Sequence, residues 1–367
     1  MTADLERRAP VSRLGVGLIG CGFIGRFHST GIRAAIRRGL VDAEYVAVCD
    51  SDLDRARSFA DITGARIVTP HPSDVINSPD VDVVYVCVPT SGHKDLVLQA
   101  AAAGKHVFCE KPLATNLDDV EQMVTAVEAA GVRHGVGLIL RHSPIFTVLK
   151  SLSEDATLGS LMAITVRDDQ FFPVQGHYGS DWRANKDIVG SGTLLEHSIH
   201  DVDILRWFGG APKSIRGSTR NFAGFNGVED LAAAHIEFDS GAIAELISIW
   251  HSVLGRPSTR RFELFYEKGL FAIDNDFLGP IHLQTHATNA RTITEEEVCS
   301  RYLDIVGLQD ARFESALRYS FEDYFFLKAI EDNRPAFPDF RIALDAHRIV
   351  DAVYQSAAAN GAEIALR

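Results

Sequence analysis

No stretch of this chain is apolar for long enough to span a bilayer, which excludes an ordinary membrane helix. Paired cysteines are missing as well. The five thiols, Cys21, Cys49, Cys87, Cys109 and Cys299, show no CxxC spacing, which argues against a disulfide framework or a thiolate metal site. The first four fall in or beside apolar runs and read as small buried thiols in a reducing compartment. Positive charge is scarce, with 36 Lys+Arg against 49 Asp+Glu, for a net charge of −13. That balance disfavours nucleic acid, an anionic membrane or a polyanionic polymer as partner. It leaves a dinucleotide open, because backbone amides can hold a pyrophosphate locally. The first ten residues, MTADLERRAP, lack the apolar core of a signal peptide, so the expected location is cytoplasmic. There is no internal repeat and no low-complexity tract.

What is present is a globular chain of 367 residues, 46% hydrophobic and 23% charged, long enough for two domains. Residues 14–140 alternate strand and helix signals. Leu14–Ile19, Tyr45–Cys49, a weaker Ala65–Val68, Val81–Val88, His106–Cys109 and His134–Ile139 read as six parallel strands. Val81–Val88 is continuously apolar and belongs at the centre, buried on both faces. After Arg141 the pattern changes to longer alternating strands: Leu161–Phe172, Lys213–Phe222, Leu231–Phe238, Ala242–Trp250 and Arg261–Ile273. Asp239-Ser240-Gly241 makes a tight hairpin between two of them. Helices are expected near 190–208, 318–333 and 340–358, the last packing on either domain. The expected fold is α/β: a doubly wound parallel sheet over residues 1–141, then an α+β domain over 142–367 with a largely antiparallel open sheet.

Three clusters carry chemistry. Gly20-Cys21-Gly22-Phe23-Ile24-Gly25 follows the first strand and opens a helix. Gly20 permits the bend, Gly22 lets a pyrophosphate approach the backbone, and Gly25 lets helix and strand pack closely. Asp50 ends the next strand and is suited to the adenosine ribose hydroxyls. No arginine directly follows it, so NAD is expected over NADP. At the mouth of the sheet the central strand ends in Pro89 and Thr90, with His93 opening the next helix; both side chains would equally serve as helix caps. Glu110-Lys111-Pro112 ends the following strand, where a lysine can reach a reacting oxygen, although a solvated Glu–Lys pair in a turn has the same sequence. The third cluster runs from Gly190 to Asp203. As one helix it places Glu196, His200 and Asp203 on one stripe, with His197 at its edge and Leu195, Ile199, Val202 and Leu205 opposite. A carboxylate one turn from a histidine can orient it and raise its pKa. A solvated helix face shows the same spacing. A metal site would need a third ligand that the chain does not offer, so no metal is expected.

The chain resembles the glucose-fructose oxidoreductase / inositol dehydrogenase / rhizopine-catabolism family over nearly its whole length. The resemblance is carried by Val16–Gly25 with His28, by Ala103–Ala114 containing the Glu-Lys-Pro triplet, by Arg141 with Pro144, by Gly190–Asp203, and by Tyr354–Ala357. It implies a Rossmann domain followed by a domain whose open sheet forms subunit interfaces, hence a homodimer or homotetramer. It implies that Lys111, Glu196 and His200 act together on a substrate hydroxyl, with Gly20, Gly22, Phe23, Ile24, Gly25, Asp50, Pro89, Thr90, His93, Glu110 and Lys111 around the cofactor. Glu196 stands where the family usually has aspartate. The implied reaction is hydride transfer between a secondary alcohol of a sugar or cyclic polyol and NAD. The polar and aromatic segment Phe171–Asp187, with His177, Tyr178, Asp181, Trp182 and Arg183, suits a sugar ring; Arg141 and His197 complete the expected substrate contacts. Alternatives of the same fold are glycoside cleavage with NAD recycled, a non-catalytic sugar- and dinucleotide-sensing regulator, and a reductase of nonsugar diols or keto compounds.

Overall fold

The computed structural model describes residues 13–176, 178–308 and 321–366. Six parallel strands form the first sheet: β1 (Leu14–Ile19), β2 (Ala43–Cys49), β3 (Ile67–Thr69), β4 (Val83–Val86), β5 (His106–Cys109) and β6 (His134–Val136). Their order is β3-β2-β1-β4-β5-β6, so chain direction across the sheet reverses between β1 and β4. That switch opens a crevice beyond the carboxyl ends of both strands. Val83 to Val86 have no exposed surface, as the continuous apolar run requires. One face of the sheet buries Val84, Val86 and Val107 against Val97, Val120 and Met123 of the crossover helices. The other buries Val16, Leu18 and Tyr85 against Ile32, Phe59 and Phe326.

The second sheet has nine strands: β7 (Leu161–Phe171), β8 (Pro212–Arg220), β9 (Leu231–Phe238), β10 (Ile243–His251), β11 (Thr259–Tyr266), β12 (Gly269–Ile273), β13 (Ile281–Thr285), β14 (Thr288–Ile293) and β15 (Ile364–Ala365). The order is β14-β13-β12-β11-β7-β10-β9-β8-β15, antiparallel except where β7 runs parallel to β10. Its inner face buries Ile164, Leu246 and Phe262 under helices that contribute Phe146, Val202 and Val350. Its outer face keeps Ile243 and Ile247 exposed.

Two helices near the end of the chain join the halves. Glu322–Glu331, within the expected 318–333, sends Phe326 and Leu327 into the first sheet's core; residues 318–320 lie outside the described residues. Phe340–Ala358 packs on both domains. Its first turns, with Phe340 and Leu344, join the parallel-sheet core, and Ile349, Val350 and Val353 join the second core. The expected helix near 190–208 is instead two pieces, Thr193–Glu196 and Ile199–Gly209, preceded by a separate short helix, Lys186–Val189. His197 has non-helical dihedrals (φ −122°, ψ −61°), and Ser198 leads into the longer piece. The single-helix stripe therefore does not exist as drawn from spacing.

Candidate functional site

A cleft of about 810 Å³ runs from the glycine turn to the broken helix. Gly20 has φ +102°, and a Cβ there would meet the Cys87 carbonyl oxygen at 2.3 Å. A Cβ on Gly25 would meet the Gly20 carbonyl oxygen at 2.0 Å, so helix and turn touch backbone to backbone. At Gly22 the same atom meets nothing within 4 Å. The helix Phe23–Arg37 begins after Gly22 with no side chain capping it, so its first N–H groups are available to an anion. Gly20, Gly22, Phe23, Ile24, Asp50, Pro89, Thr90, His93, Glu110 and Lys111 all line the cleft; Gly25 works from behind it. An open approach at Gly22, a free helix N-terminus and a carboxylate at the end of β2 together fit a dinucleotide.

Asp50 is held by the Cys21 N–H (2.8 Å) and the Asp52 N–H (2.9 Å). Arg55 Nη1 also approaches its two oxygens, at 3.2 and 3.4 Å. Arg55 was invisible to the argument from adjacency, because a helical turn rather than sequence neighbourhood brings it there. The His93 ring nitrogens lie 2.9 Å from the Pro112 carbonyl and 2.8 Å from the Val88 carbonyl. His93 thus ties the end of β4 to the Glu-Lys-Pro turn.

At the other end of the cleft, Lys111 Nζ donates to the Glu196 carbonyl oxygen at 2.8 Å. Burial first, and then the charges of Arg183 and Arg260, lower the lysine's pKa although Glu110 and Glu196 oppose them. Thr90 Oγ1 donates to Glu196 Oε1 at 2.6 Å, and Arg183 Nε lies 3.6 Å from Oε2. His200 lines the same space, and its buried Nδ1 has no hydrogen-bond partner. Burial, reinforced by Lys111, pushes its pKa well below 6.5, so the ring is neutral at physiological pH. The Thr193–Glu196 turn is fixed by Glu229, whose carboxylate accepts from Gly192 N (2.6 Å), Leu194 N (3.0 Å) and the Tyr354 hydroxyl (2.8 Å). Nothing in the sequence pointed to Glu229, which lies in a different strand connection.

Other expected contacts are placed differently. Arg141 points away from the cleft. It makes a buried bidentate pair with Asp203 (2.7–3.0 Å) and packs over Trp207 and Phe337 at 5.0 and 5.4 Å. Asp203 leaves the stripe as well: the helix is interrupted at His197, and in the following helix Asp203 meets Arg141. Asp181 is exposed and does not line the cleft, whereas Trp182, Arg183 and His197 do. The Arg183 guanidinium stacks on Trp182 at 4.3 Å. His177 lies outside the described residues. Tyr178 lines the cleft and meets Phe23 of the glycine turn edge-on, ring centroids 5.9 Å apart.

Residues 14–138 match the model of the oxidoreductase family with an NAD-binding Rossmann fold, and residues 146–272 match the GFO/IDH/MocA C-terminal domain. A myo-inositol 2-dehydrogenase of Thermotoga maritima is 32% identical over 269 residues, covering 71% of this chain and 75% of its own. The chain belongs to the Gfo/Idh/MocA family. Another Gfo/Idh/MocA relative, an inositol 2-dehydrogenase of Rhizobium meliloti, is 27% identical and spans 93% of this chain and 96% of its own. In fold, the chain matches a levoglucosan dehydrogenase solved with NADH and levoglucosan, with a TM-score of 0.84 over 96% of this chain and 99% of that one, at 24% identity. As a Gfo/Idh/MocA protein with this cleft, it is an NAD-dependent oxidoreductase acting on CH–OH groups.

Proposed function

We propose that the protein oxidises a secondary hydroxyl of a sugar or cyclic polyol, with Lys111, Glu196 and His200 around the reacting carbon. The observation that carries this reading is the meeting of Lys111, from the turn after β5, with the Glu196 turn and a neutral His200, in one cleft with the glycine turn. NAD, held by Gly20–Gly25 and Asp50, supplies the hydride acceptor. His200 takes the hydroxyl proton on the ring nitrogen that faces the cleft. Lys111 donates to the oxygen as it gains charge, which favours the alkoxide. Glu196, anchored by Thr90 and Arg183, keeps its backbone carbonyl on Lys111 and so aims the ammonium. The extra methylene relative to aspartate is taken up by the Thr90 contact. Trp182 and Arg183 supply a stacking face and a donor for a ring bearing hydroxyls, and inositol and levoglucosan dehydrogenases among the relatives have such substrates.

We also read the outer face of the nine-stranded sheet, with Ile243 and Ile247 exposed, as a homodimer or homotetramer interface. The five unpaired cysteines, four of them buried, support a cytoplasmic location. The test follows NADH absorbance against a panel of sugars, inositols and glycosides. Stoichiometric NADH on a sugar or inositol supports the reading. Glycoside cleavage without net NADH marks the recycling reaction, and binding without product marks a sensor. Lys111→Ala is expected to keep NAD affinity and lose about 10²–10³ in kcat. Undiminished turnover by that variant would overturn the assignment.

A further inference from the structure

The cleft wall holds a histidine that the hydride chemistry above leaves unused. His197 occupies the break between Thr193–Glu196 and Ile199–Gly209, and its side chain lines the cleft, 19% exposed. Its Nε2 lies 2.8 Å from Oδ2 of Asp168, a carboxylate near the end of β7 with no exposed surface. The same oxygen lies 3.0 Å from Nη2 of the buried Arg260. Arg260 in turn reaches Asp201 Oδ1 through Nε at 2.6 Å and the half-exposed Asp276 through Nη1 at 2.5 Å.

The charges in this cluster decide which proton His197 carries. Burial alone would raise the Asp168 carboxyl, but Arg260 and His197 hold it well below the usual range. Asp201 goes the other way: burial, and then the charge of Asp168 working against Arg260, push it up to about 8. Asp168 Oδ1 and Asp201 Oδ2 are buried and have no hydrogen-bond partner. A proton held on Asp201 beside an ionised Asp168 accounts for both. An ionised carboxylate only accepts hydrogen bonds, so the 2.8 Å contact favours the tautomer with N–H at Nε2, although the approach is too bent for a well-formed hydrogen bond. In that tautomer the lone pair is on Nδ1, which no described residue engages. Elsewhere at this end of the cleft, Lys111 and Arg183 are donors only, and both Glu196 oxygens already face Thr90 and Arg183.

We propose that Asp168 and His197 form a specificity pair. Asp168, a positioning residue, fixes the tautomer, and His197 Nδ1 accepts a hydrogen bond from the substrate hydroxyl next to the one being oxidised. The pair selects a vicinal diol over its deoxy analogue. This inference rests on the sugar or polyol reading of the cleft.

The experiment takes the sugar or inositol that the wild-type enzyme turns over and its two monodeoxy analogues, one for each neighbour of the reacting carbon. kcat and KM are measured for wild type, His197→Phe and Asp168→Asn. Wild type should prefer the parent over one analogue by about 10–100-fold in kcat/KM, the worth of one well-formed hydrogen bond to a desolvated partner. His197→Phe should shrink that ratio to about threefold or less. Asp168→Asn, whose amide can also donate to Nε2 and so free the tautomer, should raise KM for the parent more than it lowers kcat and shrink the ratio in part. A change in kcat alone would mark Asp168 as merely structural. If the wild type turns over the parent but His197→Phe keeps the full preference, the pair is overturned while the substrate reading stands. If no sugar or polyol is turned over, the substrate reading falls and takes the pair with it. Should Asp168→Asn fail to fold, the His197→Phe ratio decides alone.

Discussion

Consider replacing His28 with phenylalanine. The imidazole has no exposed surface, with Nε2 2.7 Å from Glu110 Oε1 and Nδ1 2.8 Å from Asp323 Oδ1. Glu322 Oε1 lies 3.7 Å from Nδ1, and the Phe108 ring packs at 5.0 Å. Burial alone would push this histidine down, but the charge and hydrogen bond of Asp323, joined by Glu110, carry it well above its ordinary value. It is a cation clamped between carboxylates. Phenylalanine keeps the ring and removes the charge, so Glu110 and Asp323 each lose a buried partner. Breaking a buried pair by deleting one member costs about 3–5 kcal/mol, a large share of a total stability of roughly 5–15 kcal/mol. The assay is urea unfolding at neutral pH followed by tryptophan fluorescence, read on the first transition because a two-domain chain need not unfold in one step. Glu110→Gln in the His28→Phe background should recover part of the loss, since a neutral amide tolerates burial better than an orphaned carboxylate. The pH dependence has a definite sign. A group raised in the folded state contributes fully below its unfolded pKa of about 6.5 and loses that contribution as pH climbs toward the folded value. The gap between wild type and variant should therefore narrow above that point, by at most about 1.4 kcal/mol per pH unit. A loss under 1 kcal/mol, or strict additivity of the two substitutions, would refute the clamp.

Two further outcomes follow from the same geometry. Arg141→Met should cost about 3–5 kcal/mol in unfolding experiments because it orphans the buried Asp203, yet leave KM of the surviving enzyme within about twofold; a KM rise without loss of stability would return Arg141 to the substrate site. The pH profile of kcat/KM should fall on the alkaline side below lysine's ordinary 10.5, because Lys111 is lowered and must stay charged, and on the acid side only below histidine's 6.5, because His200 is lowered too. Limbs at the ordinary values would contradict that picture of the site.

Much of the first domain was legible because its signals are local. A buried parallel strand reads as a continuous apolar run, and the bend between β1 and its helix needs glycine where a Cβ would strike a carbonyl, so both features are written in neighbouring residues. The second sheet was read as far as β12 from alternation. The hairpin β13–β14 was missed because its strands are short and mostly exposed, with little apolar alternation to betray them. The helix from 190 to 208 failed for a physical reason too. Periodicity saw an uninterrupted 3.6-residue pattern, while Asp168 and Ser248, strands away in sequence, draw His197 and Ser198 out of helical register.

The sequence by itself determined the order of elements, the dinucleotide turn, the Glu-Lys-Pro triplet and the presence of Glu196 and His200. Each is a property of a few adjacent residues and their spacing. Only the tertiary structure decided which of these groups meet. Lys111 reaches the Glu196 carbonyl across 85 positions, Thr90 reaches its carboxylate across 106, and His28 reaches Asp323 across 295. It also sent Arg141 to Asp203 and Asp168 to His197. Such pairings depend on how two sheets and their bridging helices pack, and on which buried charges must find a partner once water is gone.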